Sequence, residues 1–208
     1  MKRSYLSIGI SLALLSLTKP VIADDEAGIE VIKVHGSYFN DYKVDSATGA
    51  MRTNASLLET AQAVTVIPET IIDEQLATTL GEVLNNVASL SPGSKQRNRE
   101  VFSSRGFVLS SSNGYLRDGH QQWSHYQQPI ETLSHVEVIR GPSSILYGQS
   151  APGGLINMVT KKPTKNRLFE LSADVDQHGS SRLMLDAGGE IVEALNYRGV
   201  LVKQDVIY

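Results

Sequence analysis

The chain has 208 residues, a formal net charge of −3 and no cysteine. That length suits one or two domains, and the scattered Lys and Arg make no basic stripe of the kind that marks a nucleic-acid binder. Without cysteine, stability must come from an apolar core or from burial inside something larger, because the disulfides that staple small exported domains are missing.

The N-terminus reads as an export signal. Lys2 and Arg3 precede an apolar run from Leu6 to Leu17, and Val21-Ile22-Ala23 leads into Asp24-Asp25-Glu26. This layout predicts a signal peptide over residues 1–23, cleaved after Ala23. The apolar run falls well short of the ~20 residues that span a bilayer, which argues against an anchor. Residues 24–59 are mixed and polar and predict a mostly extended segment. Within them, Ile29-Glu30-Val31-Ile32-Lys33-Val34 is β-branched at four of six positions. That suits a strand able to add to a sheet edge. It also suits a first strand of the next domain or an unstructured tail.

From Gln62 the pattern tightens. Ala63–Ile67 predicts a strand, and Pro68 followed by Glu69 predicts a helix with proline at its first position. Thr79-Leu80-Gly81-Glu82 predicts a capping box. Leu80, Val83, Leu84 and Val87 then share one helix face, which needs a sheet to cover. Residues 91–128 are polar and loop-rich, with strand-like pieces at Val101-Phe102 and Phe107–Leu109. His135–Ile139 and Leu155–Thr160 predict two further strands. Between them, residues 140–154 hold two Pro and four Gly and predict tight turns. Residues 60–163 therefore read as a small α+β domain with mixed strands.

The basic run Lys161-Lys162-Pro163-Thr164-Lys165 reads as a solvated linker. Beyond it, Phe169, Leu171, Ala173 and Val175 alternate with polar residues, His178–Ser181 forms a turn, and Leu183, Leu185 and Ala187 alternate again. Gly188-Gly189 then predicts a second connection, and Leu195–Gln204 a third strand with Val200 and Val202 on its polar face. Alternation in segments of ~10 residues suits a transmembrane β-barrel, and equally a half-buried soluble sheet.

Catalytic and metal signatures are not found. The Gly-rich stretch has no following Lys-Ser or Lys-Thr, and no GxGxxG or GxSxG occurs. His120 and His125 are five apart, outside the spacing of a helical zinc motif. The chain therefore reads as a non-enzyme with no metal site and no cofactor.

Several longer motifs carry a resemblance. Leu58–Pro68, Ser104-Arg105-Gly106-Phe107, Leu116-Arg117-Asp118-Gly119, and Glu131–Pro142 continuing through Leu146-Tyr147-Gly148 and Pro152-Gly153-Gly154 to Pro163 closely resemble the plug of TonB-dependent ferric-siderophore receptors. The ferrichrome and hydroxamate branch is the most similar. The resemblance implies an α+β plug domain with short helices over residues 60–163, then the first antiparallel strands of a large outer-membrane β-barrel over residues 164–208. It implies that Glu30, Val31, Ile32, Lys33 and Val34 are a TonB box within the linker of residues 24–59, pairing as a strand with the inner-membrane TonB protein. It implies that Arg105 and Arg140 pair with barrel carboxylates, with Glu137 joining that plug–barrel ion network. Arg105, Gln122 and Tyr147 match positions that meet the Fe(III)-siderophore, and Trp123 is added because an exposed aromatic suits a bulky ligand. The implied location is the outer membrane.

Residues after Thr160 suffice for about three strands of ~10 residues, far fewer than such a barrel needs. The expectation is a truncated chain that does not transport by itself. The competing reading is a stand-alone periplasmic plug-like binding module.

Overall fold

The computed structural model describes residues 56–93, 99–124 and 126–205, together with residues 42, 44, 46, 47 and 52. The signal peptide and residues 30–34 lie outside the described residues.

A five-stranded mixed sheet forms the centre. Its order is β1 (Ala63–Pro68), β7 (Leu133–Arg140), β8 (Gly154–Thr160), β5 (Tyr115–Arg117) and β6 (His120–Gln121). Only β5 and β8 run parallel; the other neighbours are antiparallel. The central strands β7 and β8 are buried or half-buried on both faces; β8 is apolar apart from Asn157 and Thr160, whereas β7 interleaves Ser134, His135, Glu137 and Arg140 with its apolar residues. Helix α1 (Glu69–Glu74) and helix α2 (Leu80–Leu84) cover one face. There Ile72, Leu80, Val83, Leu84 and Val87 pack with Val136, Val138, Ile156 and Met158. The opposite face carries a smaller cluster of Leu116, Ile139, Leu155 and Tyr147.

The predicted capping box at α2 is present: the Thr79 hydroxyl accepts from Glu82 N, and the Glu82 carboxylate accepts from Thr79 N. Pro68 differs from expectation. It ends β1 and serves as the N-cap of α1 with extended ψ of 162°, so the helix begins one residue later. The Gly-rich stretch between β7 and β8 also holds an unpredicted helical turn, α3 (Ser144–Tyr147).

A second small sheet joins β2 (Leu90–Pro92), β3 (Phe102–Ser104) and β4 (Phe107–Val108). β3 meets β4 through Arg105-Gly106, and β5 meets β6 through Asp118-Gly119. All four turn residues have positive φ, at 53°, 85°, 50° and 76° respectively. That pattern belongs to two-residue hairpin turns whose twist matches the strands they join, and glycine at the second position relieves its strain.

The third sheet is an antiparallel meander of β9 (Leu168–Val175), β10 (Ser181–Val192) and β11 (Leu195–Asp205). β10 runs through Gly188 and Gly189, where a connection was expected. Gly188 sits on the crowded inner side: a Cβ there would lie 3.1 Å from the Tyr197 carbonyl and 3.2 Å from Thr164. The missing side chain thus serves close approach within a strand.

The sides of this sheet are inverted relative to a soluble one. Phe169, Leu171, Val175, Leu183 and Leu201 are exposed, whereas Asp186 and Met184 on the other face are buried. Leu171, Leu185 and Leu201 align across the three strands and form a continuous apolar band. Burial of each such side chain is worth about 1.5–3 kcal/mol. Leaving this face in water therefore forgoes on the order of 10 kcal/mol, comparable to the whole stability of an ordinary domain. No helix among the described residues is long and apolar enough to cross a membrane.

Candidate functional site

The inner face of the meander meets the plug sheet through a charged cluster. Asp186 on β10 is fully buried and accepts from the Arg198 guanidinium of β11 at 3.0 and 2.7 Å. It also accepts from Lys161 Nζ at 3.2 Å. Lys161 leaves the end of β8, and its side chain is 6% exposed. A second carboxylate, Glu69 at the start of α1, lies 2.7 Å from the same ammonium. Nearby, Arg182 of β10 donates to the Ala77 carbonyl at 3.2 Å and lies 3.6 Å from Glu131.

Burial pulls the Lys161 pKa down, but hydrogen bonds and charge from Glu69 and Asp186 outweigh it and leave the ammonium above its ordinary value. The solvated-linker reading of Lys161 is therefore corrected. Two carboxylates hold it at the junction of plug and meander. The sequence signal for this cluster is weak but present: Asp186 and Arg198 occupy the polar face of strands whose other face is apolar, so both must turn inward together.

Of the three residues expected in a plug–barrel network, Glu137 stands apart from Arg105 and Arg140 within the described residues. Glu137 and Arg140 are three apart on β7, so the strand's alternation sends them to opposite faces. Glu137 is fully buried beside Asn157, which donates to it at 2.7 Å, and lies 3.3 Å from His135 Nε2. Arg105 and Arg140 do come together. Both line a cleft of about 490 Å³ with Gly141, Pro142 and Ser143. Among the described residues neither forms a salt bridge, and Arg140 Nε is buried without a hydrogen-bond partner. The cleft is thus prepared for acceptors.

The expected ligand residues divide in the same way. Gln122 follows β6 directly and is fixed by its neighbours: Arg117 Nε donates to it at 2.7 Å, and its amide donates to Gln128 at 3.1 Å. Gln128 in turn donates to the Tyr126 carbonyl at 2.9 Å. This amide chain holds a loop that displays Trp123 at 61% and Tyr126 at 60% exposure. Tyr147 is buried on the other side of β5, with the Arg52 guanidinium 5.2 Å from its ring centroid. Burial foremost raises its phenol pKa, opposed by Arg52. Tyr147 is therefore not brought to the Gln122–Trp123 surface, and Arg105 lies in the arginine cleft. Among the described residues no three His, Asp or Glu side chains gather as metal ligands.

Known proteins place this architecture. Residues 56–155 match the family described as TonB-dependent Receptor Plug Domain. The ferrioxamine receptor of Yersinia enterocolitica is 30% identical over 164 residues, 73% of this chain and 23% of that receptor. The ferrichrome outer membrane transporter/phage receptor of Escherichia coli K12 is 32% identical over 140 residues, 61% of this chain and 19% of that protein. Among solved structures, the siderophore receptor PiuA of Acinetobacter baumannii superposes with a TM-score of 0.73 at 25% identity, over 79% of this chain and 23% of that one. The chain spans about a quarter of the length of the curated relatives it matches. Residues 56–155 form a TonB-dependent receptor plug domain.

Proposed function

We propose that the chain is the N-terminal portion of an outer-membrane receptor that takes up a ferric siderophore, its plug closing a barrel that begins with β9–β11. The sidedness of β9–β11 carries this reading: an apolar band faces out, and Asp186, Arg198 and Arg182 face in toward the plug. Lipid outside and a filled interior within are the surroundings in which such strands are stable. A soluble periplasmic module would leave that band in water. The relatives are receptors and transporters by name, which favours transport over catalysis.

Under this reading residues 1–23 direct export, residues 24–59 carry the TonB-binding strand at 30–34, residues 60–163 are the plug, and residues 164–208 open the barrel. Arg105 and Arg140, which form no salt bridge among the described residues, would take carboxylates from the barrel wall. Relatives named for ferrioxamine and ferrichrome favour a hydroxamate chelate, met by the Gln122–Trp123 loop. Trp123 is the single tryptophan, so it reports on that loop. Ferrichrome added to the purified chain should quench its emission saturably, the iron-free chelator much less, and Trp123→Phe should remove the signal. Emission unchanged up to millimolar ferrichrome would overturn the ligand assignment.

A further inference from the structure

Arg52 touches both the β5–β6 turn and Tyr147 from the segment that precedes β1. It belongs to the segment that precedes β1 and leads back toward residues 30–34. Its Nη2 donates to the Gly119 carbonyl at 3.0 Å, and its guanidinium stands 5.2 Å from the Tyr147 ring centroid. Gly119 is the second residue of the two-residue turn between β5 and β6.

That turn is gripped from both sides. Arg52 holds its carbonyl, and Asn157 Oδ1 accepts the Gly119 N–H at 3.0 Å. The same Asn157 donates to the buried Glu137. Tyr147 is tied to the hairpin a second time, because Gln121 donates to its carbonyl at 3.3 Å. β6 then passes without a break into Gln122, Trp123 and the amide-bonded loop. One exposed guanidinium therefore links the N-terminal segment to the hairpin that carries the exposed aromatics.

We infer that Arg52 is a latch, coupling the segment N-terminal to the plug to the β5–β6 hairpin and its loop through Gly119 and Tyr147. What pulls on that segment rests on the TonB reading above; the latch itself rests on the contacts. A planar guanidinium can place one donor on a carbonyl while its face or edge meets an aromatic ring, which an ammonium cannot do as well. Arg52 is itself exposed, so the latch can open without dismantling the core. Tension along the segment also meets the Tyr42–Glu74 hydrogen bond and the buried Ala47, and Arg52 is the contact that passes it to the 118–119 turn. By linkage, a ligand that shifts the 122–128 loop changes the hold on Arg52 in return.

Amide hydrogen exchange on the full chain tests this without any partner. In Arg52→Gln the Gly119 and Gln122 amides should exchange about tenfold faster, while Val136 and Ile156 keep their protection. Arg52→Lys should fall between, since it retains the charge and loses the fork. Unchanged exchange at Gly119 and Gln122 would overturn the latch. Loss of protection through β7 and β8 would overturn it as well, because Arg52 would then be a residue of the fold and no latch. The receptor reading is separated by a second arm: the periplasmic domain of TonB should protect amides 30–34. Failure of that arm alone removes the receptor reading and leaves the latch standing.

Discussion

The Lys161 ammonium lies 3.2 Å from the Asp186 carboxylate, and this contact fastens the end of the plug sheet to the middle of β10. Asp186 is fully buried. Removing one member of a buried pair leaves a charge without compensation and typically costs ~3–5 kcal/mol. Here Arg198 remains as a second partner, so the loss on Lys161→Met should be smaller. A double-mutant cycle of Lys161→Met with Asp186→Asn, read by urea unfolding, should give a coupling of about 1–3 kcal/mol. The same cycle on Lys203 and Asp205, both largely exposed at 3.7 Å, should give less than about 0.5 kcal/mol.

The cluster should also be visible as a function of pH. The Lys161 pKa is raised above 10.5, so the folded state holds its proton more tightly than the unfolded chain. The stability it adds is full below about pH 10.5 and is lost as pH rises through the higher folded value. Tyr115, pushed up to about 12 by burial, contributes a loss in the same window in every variant. Stability measured from about pH 9 to about pH 12 should therefore fall more steeply in the parent than in Lys161→Met. Equal slopes would remove Lys161 from the cluster's energetics.

Asp73 has the same sign of pH dependence, at acid pH, but there it is the charged form that the fold disfavours. Burial foremost, then the charge of Glu69, raises its pKa above 3.8. The folded state thus favours the neutral acid, and that contribution is present below about pH 3.8 and lost as pH rises through the raised value. Asp73→Asn should stabilise the chain at pH 7 relative to the parent and lose that advantage near pH 3. Thermal unfolding at the two pH values checks the sign.

Gly154 tests the β7–β8 connection. Its φ is 128°, and a Cβ would lie 2.0 Å from the Ile139 carbonyl oxygen. Both the conformation and the space exclude a side chain. Gly154→Ala should cost about 3 kcal/mol or more. Gly106→Ala should cost only the strain of its φ of 85°, since nothing lies within 4 Å of that position. Denaturant midpoints of the two variants give the contrast.

Much of the plug was legible because its signals are local. The capping box at Thr79 and Glu82, the apolar face of α2, and the β-branched pattern of β7 and β8 each need only a few neighbouring residues to be read. The two-residue turns at Arg105-Gly106 and Asp118-Gly119 were legible too, since Asp-Gly between strand residues is itself a hairpin signal. The charged site was less readable. Lys161, Glu69, Asp186 and Arg198 lie far apart in sequence, and a pair of lysines running into a proline looks like a linker until a strand is folded against it. Glu137 and Arg140 are three apart on β7, and alternation places them on opposite faces of that strand. The alternation of β9–β11 left the choice between a soluble and a lipid-facing sheet open, because period two is the same in both. Only the packing of the plug against one face separated them.

The most direct test of the account is therefore which side of β9–β11 meets lipid. The chain has no cysteine, so single substitutions carry spin labels without background. With the receptor in outer membranes, labels at Leu171, Leu185 and Leu201 should be reached by dissolved oxygen and shielded from a water-soluble relaxation agent. Labels at Ser172, Met184 and Val200, on the facing side, should show neither the oxygen response nor free tumbling. Water-soluble agent reaching Leu171, Leu185 and Leu201 as readily as oxygen would contradict a membrane-facing sheet, and with it the reading of this chain as the opening of a receptor barrel.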